Sequence, residues 1–72
     1  MKKFTLLKFE YVELYKLLKL QGLASSGAEA KQLIDEGLVK VNGEVETQRR
    51  KKIRTGDTVE FGGMIMKVEK RE

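Results

Sequence analysis

Residues 26–43 read SGAEAKQLIDEGLVKVNG, a stretch that specifies a helix, its end, a strand and a tight turn in succession. Ser26 and Glu29 fit a capping box, in which the serine hydroxyl accepts a hydrogen bond from the glutamate amide and the glutamate reaches back. Gly37 can adopt the left-handed conformation that commonly ends a helix. The residues at helical spacing that we expect to face a core are Ala30, Leu33 and Ile34.

The pattern after this helix changes to strands. Asn42-Gly43 separates residues 38–41 from residues 44–47, and this pair favours a type I′ hairpin turn because both central positions need positive φ. Pairing across the turn sets Val41 opposite Glu44, so the two strands share no clean apolar face. We therefore predict a short or bulged hairpin.

The segment before residue 26 predicts a short opening strand around residues 4–8, followed by a helix from Glu10 to Gln21 that Gly22 ends. The apolar stripe expected on that helix consists of Tyr11, Leu14, Leu17 and Leu18.

A second hairpin is predicted near the end of the chain, with Gly62-Gly63 as its turn. It pairs Phe61 with Met64 and Val59 with Met66, and these residues can close the core. Ile65 points to the opposite side in this register. With no proline, linker or internal repeat, residues 1–72 are expected to form a single α+β domain.

Composition excludes most catalytic chemistry. The 72 residues include no cysteine and no histidine, which removes thiolate and imidazole groups, disulfides and nearly every zinc site. Ser25 and Ser26 are better explained as helix caps than as nucleophiles. The acidic pairs Asp35-Glu36 and Glu44 with Glu46 lack the further oxygen ligands that a magnesium or calcium site needs. We expect no enzyme activity, no cofactor, no metal and no small-molecule substrate.

We expect no membrane span or secretion signal near the start of the chain. An apolar run near the start is interrupted by Lys8 and Glu10, far short of a signal core or a membrane span. The lack of disulfides in so small a domain fits a reducing compartment. We expect a cytoplasmic protein with no membrane partner.

The positive charge is concentrated in one place. The net charge is +4, yet residues 1–48 carry seven Lys or Arg and seven Asp or Glu, whereas residues 49–54 carry five cations and no acid. Such a run can bind phosphates. It can also be a solvated loop that keeps the protein soluble.

The start of the helix at Ser26 is a second candidate site. Its amides and dipole favour an anion, and Gly27 has no side chain to block a phosphate. Lys31 lies four residues further on and could meet the same phosphate, although an ordinary surface position explains it equally well. Lys31 and Gln32 lie off the core stripe, so we expect both to be exposed.

Residues 13–61 resemble the S4 RNA-binding domain, or alpha-L motif, which is named after a small-subunit ribosomal protein. The matching positions are Leu17-Leu18, Gly22-Leu23-Ala24, Ser26, Ala30 to Ile34, Gly37, Val39, Val41-Asn42-Gly43 and Gly56-Asp57. In size the chain is most similar to the small stand-alone bacterial proteins of the YbcJ type. The resemblance implies an α+β fold, with two helices packed on a small, mainly antiparallel sheet of four to five strands. It also implies an RNA-binding surface on the second helix and the loop that follows.

The resemblance also implies contact residues. Ser26, Lys31 and Gln32 match the second-helix contact positions of the family, and Lys16 matches a basic position in the first helix. The family often has arginine where this chain has Gly27.

The first helix departs from the family as well. Glu13 and Tyr15 stand where the family often has arginine and aspartate. These departures remove cations from that side and shift the expected contact to the basic run.

We therefore predict a non-catalytic, monomeric bacterial protein that recognises structured RNA, either rRNA or tRNA-like, in ribosome assembly or translation. The contacts are expected from a basic loop, with Ser26, Gly27, Lys31, Gln32 and Lys16 assisting. The loop cations are Arg49, Arg50, Lys51, Lys52 and Arg54. The alternative is an adaptor that docks the same loop on an acidic surface of a ribosome-associated factor. DNA binding is disfavoured because no helix shows the basic face that reads a major groove.

Overall fold

A computed structural model of the chain describes residues 2–6 and 11–70. Its elements are β1 (Lys2–Leu6), β2 (Tyr11–Glu13), α1 (Leu14–Leu20), α2 (Gly27–Asp35), β3 (Val39–Val41), β4 (Glu44–Val45), β5 (Lys52–Arg54), β6 (Thr58–Phe61) and β7 (Met64–Lys70). The predicted opening strand is confirmed for residues 4–6 of β1, which begins two residues earlier than predicted, while Lys8 and Glu10 lie outside the described residues.

Two sheets are present in these ranges. The larger has five strands in the order β1-β7-β6-β3-β4, and the smaller pairs β2 with β5. Within the larger sheet β1 runs parallel to β7, and the other neighbours are antiparallel. The α+β architecture with a mainly antiparallel sheet is thus confirmed, and the separate β2–β5 ribbon is an addition to it.

The second helix begins and ends as predicted. The Ser26 side chain accepts a hydrogen bond from the Glu29 amide at 3.1 Å. The Glu29 carboxylate differs from the prediction, because it accepts a bond from the Ser25 hydroxyl at 2.7 Å, a charge-assisted contact one residue nearer the chain start. Gly37 has φ +75° and its amide donates to the Ile34 carbonyl at 3.0 Å, which closes the helix.

The first helix was predicted to begin four residues too early. Residues 11–13 are extended and pair with β5, with Tyr11 opposite Arg54 and Val12 opposite Ile53. Tyr11 is 39% exposed, so it does not belong to the core stripe. Tyr11 stands at helical spacing from Leu14, but this spacing does not reflect a helix. Residues 11–13 form a strand because their backbone can hydrogen-bond to β5.

One core joins both helices to both sheets. Its fully or nearly fully buried members are Leu14, Leu17, Leu18, Ala24, Ala30, Ile34, Val39, Val41, Ile53, Val59, Met66 and Val68. Leu33 and Phe61, both predicted for the core, pack against it while half-buried.

Both hairpins have the predicted register. Asn42 and Gly43 take φ values of +52° and +85°, as a type I′ turn needs. Val41 lies opposite Glu44, and Phe61 opposite Met64. Strand β4 is only two residues long and both residues are exposed, so the first hairpin has no continuous apolar face.

Candidate nucleic-acid interface

The basic segment, residues 49–54, is half turn and half strand. Residues 49–51 form a turn, and Lys52–Arg54 form β5, so the prediction of a loop throughout was wrong for the second half. The reason is Ile53, which is fully buried and pairs with Val12. Because side chains alternate along a strand, burying Ile53 turns Lys52 and Arg54 outward.

The backbone of the basic segment also caps the first helix. The carbonyls of Lys51 and Arg49 accept hydrogen bonds from the amides of Leu14 and Tyr15 at 2.9 and 3.1 Å. The residue before the helix, Glu13, makes no side-chain cap. Amides at a helix start need partners, and here the basic segment supplies them. The segment is therefore held against α1 while four of its cations remain exposed and Lys51 is half-buried.

The far end of the basic segment is tied to the Asn-Gly turn. Asp57 accepts a hydrogen bond from the Arg54 amide at 2.7 Å and another from the Asn42 side chain at 3.0 Å. The Asn42 side chain in turn accepts from the Thr58 amide at 2.9 Å. Gly56, with φ +93°, makes the turn that brings Asp57 into position. The Gly-Asp pair thus orients the end of β5.

The cations of this region differ in how they are paired. Arg49 makes a two-pronged contact with Asp35 at the end of α2, with 2.9 Å between Nε and Oδ1. The Arg49 hydrogen bond holds the pKa of the Asp35 carboxyl below its usual range, and the same contact raises the pKa of Arg49. Asp35 therefore offsets the charge of Arg49 and links α2 to the basic segment.

Glu13 lies between two further cations. Its carboxylate is 3.2 Å from the Lys16 ammonium and 4.0 Å from Nε of Arg50. The hydrogen bond to Glu13 and the nearby Tyr15 raise the pKa of Lys16. Arg50 is 70% exposed at its side chain, so it can still turn toward an outside partner.

The remaining cations have no acidic partner within 4.0 Å among the described residues. They are Lys31, Lys51, Lys52 and Arg54. Lys31 is half-buried rather than exposed as predicted, because its ammonium lies over the Tyr15 ring, 4.8 Å from the centroid. Gln32 is exposed as predicted and donates to Glu36 at 3.0 Å, away from this group.

Tyr15 brings the start of α2 next to α1. A β-carbon added to Gly27 would lie 3.7 Å from the Tyr15 ring, and the Lys16 ammonium is 5.9 Å from the ring centroid. Gly27, Lys31 and Lys16 therefore lie around one aromatic ring, and Ser26 directly precedes Gly27 in the chain. Through Glu13, which contacts both Lys16 and Arg50, this group is continuous with the basic segment.

A second ring on this surface, Tyr11, was not predicted. It lies beside Lys52 and Arg54, with 5.1 Å from the ring centroid to the Lys52 ammonium and 6.0 Å to the Arg54 guanidinium. The alternation Tyr11-Val12-Glu13, with one apolar residue between two outward ones, is the sequence signal that could have revealed it.

Other kinds of site receive no support from the part of the chain that is described. Within residues 2–6 and 11–70 no three carboxylates come together as metal ligands would. The helices α1 and α2 are both too short to cross a membrane.

A small α+β domain with a basic strand beside α1 and α2 is the architecture of a nucleic-acid-binding domain. The chain belongs to the S4 domain family, whose model matches residues 4–69. The chain is similar to the Escherichia coli protein YbcJ, with 53% identity over 68 residues, covering 94% of this chain and 97% of YbcJ. A YbcJ protein of Shigella flexneri matches to the same extent. The solution structure of Escherichia coli YbcJ superposes with a TM-score of 0.72 at 52% identity, covering 96% of this chain and 87% of that one. That structure is described as revealing an alpha-L motif involved in RNA binding.

Proposed function

We propose that this protein binds structured RNA without catalysing a reaction on it. The observation that carries the proposal is the set of Lys51, Lys52 and Arg54, which have no acidic partner within 4.0 Å in residues 2–6 and 11–70 and lie on a strand and turn that the fold holds in place. Phosphate oxygens are the natural partners of such groups. The description of YbcJ as having a motif involved in RNA binding supports the same function for this chain.

The two parts of the surface have different roles in this proposal. Lys51, Lys52 and Arg54 contact phosphates of a folded RNA, and Arg50 joins them by leaving Glu13. The amides after Ser26 and the ammonium of Lys31 bind a further phosphate and orient the protein. Contacts of this kind read the shape of RNA more than its sequence.

The finer partner and setting belong to the same proposal. A folded rRNA or tRNA-like RNA offers the grooves that this surface requires, which fits a monomeric domain acting in the cytoplasm during ribosome assembly or translation. Gln32 and Arg49 contribute least to RNA contact in this proposal, because their side chains already donate hydrogen bonds to Glu36 and Asp35.

The salt dependence of binding tests the phosphate contacts. About four contacts should give a slope of log affinity against log salt of roughly −3, since each neutralised phosphate contributes a little under one unit. Replacing Lys51, Lys52 and Arg54 together with alanine should weaken binding and flatten this slope by about 2 to 3 units.

A matched variant controls for the loss of charge. Lys19, Lys40 and Lys67 are exposed cations outside the proposed surface, and their triple alanine variant has the same net charge. Circular dichroism checks that both variants fold. Equal RNA affinity and slope for the two variants would contradict the proposal.

The second candidate, an adaptor on an acidic protein surface, would use the same cations, which fit carboxylates as well as phosphates. Capturing partners from a lysate with and without nuclease separates the two functions. A protein partner that survives removal of RNA would favour the adaptor.

A further inference from the structure

The outward face of the β2–β5 ribbon combines an aromatic ring with two cations. Tyr11 lies directly opposite Arg54 in the ladder, and Lys52 is two residues from Arg54 on the same side. The intervening pair, Val12 and Ile53, faces the core. Strand alternation therefore fixes the three outward side chains as one group.

The Tyr11 ring is available to an outside partner. It is 39% exposed, and among the described residues its hydroxyl makes no hydrogen bond. Its neighbours are the Lys52 ammonium at 5.1 Å and the Arg54 guanidinium at 6.0 Å from the centroid. Both belong to long side chains that can swing from the ring to a phosphate.

Tyr15 has a different environment. It is half-buried, with Gly27 beside the ring and the Lys31 ammonium 4.8 Å from its centroid. It thus joins α1 to α2, whereas the recorded neighbours of Tyr11 among the described residues are Lys52 and Arg54 of the strand with which it pairs. A packing role alone leaves the exposure of Tyr11 and its two flanking cations unexplained.

We propose that Tyr11 stacks on an unpaired nucleobase while Lys52 and Arg54 hold the phosphates on either side of it. An aromatic ring with cations along its border is the arrangement that binds single-stranded nucleic acid. The inference rests on the proposed function and specifies the RNA class. The target is a duplex that ends in, or is interrupted by, unpaired nucleotides, with the stem against the basic turn and the unpaired base on Tyr11.

The decisive comparison uses two RNAs with equal numbers of phosphates. Both carry the same stem and the same short single-stranded overhang, but in one the overhang nucleotides are abasic. The wild-type protein should bind the RNA with bases at least about fivefold more tightly, the lower end of what one stacked base contributes. The Tyr11→Leu variant should bind both RNAs with equal affinity, and Tyr11→Phe should keep the preference.

Tyrosine fluorescence gives a second readout that does not depend on affinity. The chain has two tyrosines and no tryptophan, so in the Tyr15→Phe variant all of this emission comes from Tyr11. The overhang with bases should quench it, and the abasic overhang should leave it unchanged. This measurement decides the matter even if Tyr11→Leu fails to fold.

The outcomes separate the two proposals. If the wild-type protein binds both RNAs equally well, or Tyr11→Leu keeps the preference, stacking on Tyr11 is overturned and RNA binding stands. If the wild-type protein binds neither RNA, both proposals fail.

Discussion

Replacing Ile53 with alanine should destabilise the protein strongly although the residue lies within a run of cations. Ile53 is fully buried, and truncating such a side chain to alanine costs about 2 to 5 kcal/mol of unfolding free energy. A chain of this length has a total stability of roughly 4 to 11 kcal/mol. Since 1 kcal/mol shifts the melting temperature of a small domain by about 4 to 8 °C, the variant should melt at least about 8 °C lower. Urea and thermal unfolding followed by circular dichroism measure both quantities.

The matched control is Ile65→Ala, because Ile65 is also a strand isoleucine but is 44% exposed on the outer face of the larger sheet. Its change in unfolding free energy should stay within about 0.5 kcal/mol. Ile53→Val should fall between, at about 0.5 to 1.5 kcal/mol. Equal losses for Ile53→Ala and Ile65→Ala would refute the placement of β5 against the core.

Two further predictions concern the contacts that hold the basic segment in place. The Arg49 contact lowers the pKa of Asp35, so the ion pair is fully present above the ordinary aspartate pKa of about 3.9 and is lost as pH falls through the lowered value. A carboxyl NMR titration should give a midpoint below the ordinary one, and Arg49→Met should raise it; an unchanged midpoint would mean that the pair does not form in solution. Asn42→Gly should lose the side-chain bonds to Asp57 and Thr58 but keep the turn, whereas Asn42→Ala should also strain a residue at φ +52°. The alanine variant should therefore be less stable than the glycine variant by about 1 to 2 kcal/mol in urea unfolding, and equal stabilities would contradict a conformational role for Asn42.

Signals that act over a few residues were sufficient to predict the second helix and both hairpins. The cap at Ser26 and the glycine after α2 each act within one helical turn, and Asn42-Gly43 dictates its own backbone conformation. The register of the last hairpin followed from its turn, which pairs Phe61 with Met64. These features depend on neighbours in the chain, so their residue types predict them directly.

The β2–β5 ribbon could not be predicted in the same way. Its strands are three residues each and lie about 40 residues apart in the chain, and Tyr11 happens to fall at helical spacing from Leu14. Only a long-range pairing with Lys52–Arg54 makes residues 11–13 extended. The position of Tyr11 beside two cations follows from that pairing, so this part of the surface was missed.

The cations of the site were predictable as a group but not individually. The run at residues 49–54 is evident in the sequence, whereas the pairing of Arg49 with Asp35 joins residues 14 positions apart and depends on where α2 ends. Glu13 reaches Arg50 only because the basic segment caps α1. These ion pairs distinguish cations that contact acidic side chains of the protein, such as Arg49, from cations that can contact RNA.

The single apolar residue in RRKKIR explains why this run can act as a surface of defined shape. A run of charges alone would remain solvated and would lose its conformational freedom only on binding. Ile53 instead inserts into the core and sets the phase of the strand, so Lys52 and Arg54 point outward before any RNA arrives. Backbone hydrogen bonds from Leu14 and Tyr15 to the turn hold the other half.

Because the basic segment is already ordered on folding, an Ile53→Val variant that remains folded should keep the affinity of the wild-type protein for RNA. The triple alanine variant at Lys51, Lys52 and Arg54 should lose affinity while its fold persists. Loss of affinity in the folded Ile53→Val variant would mean that the strand orders only when it binds, and an unchanged affinity of the triple alanine variant would contradict the phosphate contacts.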